Sequence, residues 1–209
     1  PPGAPLYQII GAFFSIFAFD AENVALTINL MSVFASAFTI LFLFWSLSLL
    51  LRQFHNDQED LEASIGWKII GSSAVGALAF TFTDSFWFSA VEAEVYAAAA
   101  CIMSILFYCG LRWQAEMYTP RGNRWLILIA FVVGLSFGIH FMGLLTIPAI
   151  GFLYFFRTTP KVTPKNFIIA NIVVVAVLLF IFKLLLPWTL KFFSAMELFF
   201  VNNLRLPFN

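Results

Sequence analysis

The sequence predicts an all-α fold, a polytopic transmembrane helix bundle, and three observations predict it. Of 209 residues, 62% are hydrophobic and 11% charged, against roughly a quarter charged in soluble domains. The apolar residues fall into runs near the ~20 needed to cross a bilayer as a helix, without the ~10-residue alternation of transmembrane strands. Eight of the eleven Lys and Arg residues gather in three polar connectors, the bias that orients membrane helices. Twenty-eight Phe and six Trp suit lipid-facing and interfacial surfaces, and a formal net charge of zero argues against a nucleic-acid partner.

The whole chain, 1–209, reads as a single transmembrane domain. Residues 1–23 read as an outer loop with an interfacial helix, because the apolar stretch 8–19 is too short to span. The opening has no basic n-region, so no signal peptide is read there. The first span is 24–51, closed by Arg52 and a polar connector containing His55, which reads as solvated. A second span covers 67–83, with Gly71, Ser72, Ser73 and Gly76 offering small faces for close packing. A third covers 86–111. It contains Cys101 and Cys109, about 12 Å apart along a helix and too far to bridge.

From Trp125 to Phe156 there is no charged residue, a run that would measure about 48 Å as one helix. It is therefore split at "FGIHFMG", where glycines flank His140, into spans 125–139 and 141–156. Pro148 is expected to kink the latter. The sixth span, 166–186, is expected to end at Pro187. The tail 187–209 mixes aromatic and charged residues and reads as an outer interfacial segment or the start of another helix.

Connectors 52–68, 112–124 and 157–165 hold Arg52, Lys68, Arg112, Arg121, Arg124, Arg157, Lys161 and Lys165. They are expected on the cytoplasmic side. The opposite side then receives Asp84, Glu92, Glu94 and His140. A carboxylate within a span costs several kcal/mol unless paired, protonated or facing a wet cavity, so it is a functional candidate by default. On a regular helix Glu92 and Glu94 point about 200° apart, with Glu92 sharing a face with Tyr96 and Glu94 one with Ala90 and Ala98. A helix-helix ion pair and a macrodipole effect remain alternatives. His140 is read either as bonding a freed backbone carbonyl at the break or as contacting a phosphate or sugar. Gly134 and Gly138 form a small-xxx-small pair that reads as a packing face. No Walker-type glycine loop, Gly-x-Ser-x-Gly elbow or zinc-ligand spacing appears.

Three stretches, "PPGAPLY", "FWFSAVEAEVYA" and "GLSFGIHFMGLLTIPAIGFLYFF", resemble in order a family of bacterial membrane proteins long filed as a domain of unknown function. That family is related to the eukaryotic transmembrane O-mannosyltransferase acting on plexin-type domains, and belongs to the GT-C glycosyltransferases. The resemblance implies a GT-C-like enzyme of a bacterial cytoplasmic (inner) membrane. It would transfer a sugar from a polyprenyl-phosphate-linked donor to a protein or glycan acceptor on the periplasmic face.

In such enzymes a catalytic Asp or Glu lies in the first outer loop. Here the chain is expected to begin at the Pro-Pro of a later His-Pro-Pro-Gly motif, as an N-terminally truncated fragment lacking that acidic loop and the helix before it. Glu94, Glu92 and Asp84 then stand as the catalytic candidates. His140, Tyr96, Pro1, Pro2, Gly3 and Arg205 stand as the substrate-binding ones. No cofactor follows from the residues, and the resemblance leaves a divalent metal ion open. The competing reading is a secondary transporter or other ion-coupled membrane protein using intramembrane carboxylates. Its polar residues should lie at mid-membrane in both halves, whereas here they gather at one end.

Overall fold

A computed structural model describes residues 4–53, 63–205 and 207. His55, Pro1, Pro2 and Gly3 lie outside the described residues. The described residues form nine α-helices, with no strand among them: α1 Pro5–Ser15, α2 Val24–Gln53, α3 Ala63–Thr81, α4 Asp84–Val91, α5 Val95–Glu116, α6 Gly122–Ser136, α7 Thr146–Thr158, α8 Pro164–Phe180 and α9 Leu186–Leu204. By length and composition, four helical stretches could cross a membrane, Ala21–Gln53, Val95–Glu116, Phe141–Thr158 and Pro164–Leu204; counting the pair α3–α4, bent by 69°, makes five. The chain is a polytopic helical membrane protein. It divides into two compact units, 1–157 and 158–209.

Helix α2 shows what drives assembly in the first unit. Its buried residues are Thr27, Met31, Ser32, Ser36, Thr39 and Ser46, whereas Leu26, Leu30, Val33, Phe34, Phe38, Leu41 and Trp45 are exposed. That inverts a soluble helix. Lipid solvates apolar side chains as well as a core does, so small and hydroxylic residues turn inward, where backbones approach closely. Helix α5 supplies the opposing face. Its Ile102, Leu106, Cys109 and Trp113 form a core with Ile129 and Ile139. Tyr108 on α5 meets both Phe42 and Trp45 on α2, with ring centroids 5.6 Å away in each case. Nearer the start of each helix Thr39 on α2 meets Cys101 on α5, so the contacts advance together along both chains and the two helices run parallel. Gly110 admits α7, since a Cβ there would come 3.1 Å from Ile150, and Trp113 stacks on Tyr154 at 5.8 Å.

Several boundaries differ from the sequence expectation. The expected span 86–111 is interrupted: α4 ends at Val91, Glu92 and Glu94 adopt extended backbone, and α5 starts at Val95. Starting α5 after the carboxylates leaves both of them exposed, which avoids the cost of burying charge. The break expected at "FGIHFMG" is wider than that stretch suggested, because a 3₁₀ turn, Phe141–Leu145, precedes α7. Pro148 consequently falls in the first turn of α7, where its missing amide costs nothing and no kink is required. Helix α6 has 15 residues, about 22 Å, short of a full bilayer core.

In the second unit Thr163 and Asn166 form a reciprocal cap on α8, with Pro164 at its first turn. The expected stop at Pro187 does not occur. A π-helical turn, Ile181–Leu185, widens the backbone just before the proline, making room for its ring and removing the need for its amide. Helix then continues through 187–204.

Candidate functional site

Three interruptions of helix meet at one end of the first unit. The first is the start of α1. Proline at its N1 or N2 position presets the backbone, and the amides of Leu6 and Tyr7 both donate to the Gly138 carbonyl, at 2.8 and 3.2 Å. Gly138 belongs to the second interruption, the turn between α6 and α7. Only glycine fits there, because a Cβ would lie 2.6 Å from the Leu6 Cβ. Gly134, by contrast, has open space around its Cβ position, so the expected glycine pair is in fact one close approach, made to α1. The third interruption is Glu92–Glu94, where the Glu94 amide donates to the Glu92 carbonyl at 2.8 Å.

His140 has extended backbone and caps the 3₁₀ turn: its Nδ1 accepts from the Met142 amide at 3.2 Å. It thus serves a backbone N–H and not the freed carbonyl anticipated from sequence. With Nδ1 accepting, the neutral ring carries its proton on Nε2 and offers a donor there. The ring lies 5.6 Å from that of Tyr96, which projects from the first turn of α5 and is 48% exposed.

Tyr7 completes the junction. Burial pushes its phenol above the ordinary value, the neighbouring Ser32 hydroxyl opposes the rise, and the Glu94 carboxylate adds to it. Tyr7 therefore stays protonated at neutral pH. Its hydroxyl, and those of Ser32 and Ser36 about two and three turns into α2, are buried without a partner in hydrogen-bond geometry. Elsewhere on α2, Thr27, Thr39 and Ser48 turn back onto their own helix carbonyls, the usual resort of a hydroxyl in lipid. Ser32, Ser36 and, nearer the other end of the helix, Ser46 do not.

The fold thus brings Glu94, Tyr96 and His140 together with Tyr7, and sets Glu92 next to them in the chain. Glu92 lies off the regular helix of α5, so the face it was expected to share with Tyr96 does not exist. Asp84 sits at the other end of α4, about 11 Å away along its axis, where a carboxylate complements the helix N-terminus. Arg205 follows α9 in the second unit, with φ 51°. Tyr7, Ser32 and Ser36 were missed by sequence reasoning. Tyr7 lay within a quoted motif, and the i,i+4 spacing of two serines in an apolar span was the available signal. Among the described residues no group of three His, Cys, Asp or Glu side chains is placed to hold a metal ion.

The opposite end of the same unit is basic. Arg112 pairs with Glu116 and lies 5.3 Å over the Trp125 ring; the Trp125 indole donates to Glu116 at 3.0 Å. Arg157 lies 5.8 Å over Tyr118. Because α2 runs parallel to α5, Arg52 in its last turn falls at this end too.

No curated protein and no solved structure matches the chain. Residues 1–163 match the family model described as the Protein O-mannosyl-transferase TMEM260 N-terminal domain. The match runs through all three meeting interruptions and closes six residues past the first compact unit. Covering about three quarters of the sequence, it shows that the chain belongs to this family of O-mannosyltransferase-like membrane glycosyltransferases.

Proposed function

We propose that the chain carries part of the active site of a GT-C-like glycosyltransferase, which moves a sugar from a polyprenyl-phosphate-linked donor onto a hydroxyl of a protein or glycan on the outer face of a bacterial cytoplasmic membrane. The observation that carries this reading is the junction at which Glu94 lies near Tyr7 while Tyr96 packs against His140. The family match supports sugar transfer at the coarse level. The outer orientation rests on the basic residues gathered at the other end of the unit.

In this reading Glu94 acts as general base. It takes the proton from the acceptor hydroxyl, whose oxygen attacks the anomeric carbon as the bond to the lipid phosphate breaks. The leaving phosphate needs donors, and the Nε2–H of His140 and the Tyr7 phenol are the ones at hand. Exposure of Glu94 leaves it accessible to an acceptor arriving from water. Glu92, adjacent but outside the described contacts of Tyr7, is assigned to orienting the acceptor.

The test is Glu94→Gln and Glu92→Gln in the full-length protein, assayed for transfer from a polyprenyl-phosphate sugar to a Ser/Thr peptide. Glu94→Gln should lower kcat by about 100-fold or more, with a smaller loss for Glu92→Gln. Full activity in both variants would overturn the assignment.

A further inference from the structure

Between α2, the end of α3 and α4 lies a groove of about 350 Å³, within the range of small-molecule sites. Its walls are apolar: Val33 and Ala37 on α2 face Trp87, Ala90 and Val91 on α4. Val33, Trp87 and Val91 remain 45%, 51% and 46% exposed, so the groove opens sideways onto the surface that bilayer covers. Among these apolar residues α2 places one buried hydroxyl. Ser36, 5% exposed, lines the groove with its hydroxyl unpartnered. One turn further toward the junction is Ser32, 1% exposed and also unpartnered, beside Tyr7. On the other wall Val91 is followed directly by Glu92. A hydrocarbon slot thus leads, along three unsatisfied buried hydroxyls, to the carboxylates.

A ligand matching both halves is an amphiphile with a hydroxyl-seeking head and an apolar tail. We propose that this groove holds the tail of the lipid-linked sugar donor where the tail meets its phosphate, with Ser36, Ser32 and Tyr7 donating to the polar head. The proposal rests on the functional reading above and adds the binding surface to it. An ordinary bilayer lipid would fill the slot but would leave the order of hydroxyls toward Glu94 without purpose.

The experiment uses the full-length protein in nanodiscs and a polyprenyl phosphate, without sugar, carrying a diazirine on its isoprenoid unit nearest the phosphate. Photolysis followed by peptide mapping should place adducts on residues 33–40 and 86–91. Ala90→Trp, which fills the groove from α4, should lower that labelling at least about tenfold, and Ala37→Phe, from the opposite wall, should do the same. Adducts spread evenly over other lipid-facing helices, or unchanged in both monodisperse filled variants, would overturn the proposal. So would equal groove labelling by a diazirine on the acyl chain of phosphatidylethanolamine, which would mark a bulk-lipid site. Labelling confined to the groove supports the proposal whether or not sugar transfer is detected, and absence of transfer alone would count against the functional reading instead.

Discussion

His140 illustrates how one side chain holds two positions at once. Its Nδ1 bond to the Met142 amide fixes where the helix restarts, and that restart aims the ring at Tyr96. His140→Ala removes the acceptor and should cost about 1 kcal/mol of stability, read as a lower melting temperature in detergent. His140→Asn, whose side-chain oxygen can accept the same amide, should recover most of that loss while still lacking the ring beside Tyr96. Were both variants to melt like the parent, the cap would carry no weight. The break around His140 was legible because two glycines flank it. The carboxylate break was not: "AEVYAAAA" has no Gly or Pro and strong helix formers, so local propensity points to one continuous helix. What overrides it is the cost of withdrawing two carboxylates from water, a property of the membrane and not of the segment.

At the scale of elements, the least legible feature is α1 lying against the turn between α6 and α7. The apolar stretch 8–19, too short to span, suggested only an interfacial helix, and nothing in its pattern names a partner far along the chain. The contact depends on Gly138, where a Cβ would intrude to 2.6 Å of Leu6. Gly138→Ala should therefore push α1 off, costing about 1–3 kcal/mol by overpacking, with faster proteolysis at residues 16–20. Gly134→Ala, in open space, should leave both melting and proteolysis unchanged and serves as the control. Equal behaviour of the two alanine variants would refute the docking argument. Pro187 teaches a related lesson: the span was expected to end there, but a π turn ahead of the proline absorbed the missing amide and let the helix run on.

For the whole molecule, charge asymmetry was the strongest signal in the sequence. The fold gathers Arg52, Arg112 and Arg157 at one end of the first unit and the carboxylate junction at the other. Orientation follows from that separation and can be measured. In a background with Cys101 and Cys109 replaced by Ala, a membrane-impermeant maleimide applied to intact spheroplasts should label Ser85→Cys. It should reach Thr119→Cys only after permeabilisation. The reverse pattern would invert the topology and, with it, the face assigned to sugar transfer. The docking of α1 has a further consequence, for assembly. Leu6 and Tyr7 leave the ribosome about 130 residues ahead of Gly138, a lead of roughly ten seconds at ordinary synthesis rates. Until the α6–α7 turn has been inserted, their amides have no carbonyl to meet and Tyr7 has no fixed place beside Glu94. The junction is therefore a checkpoint in time: a half-translated chain in the membrane holds its carboxylates but not the arrangement that would let them act.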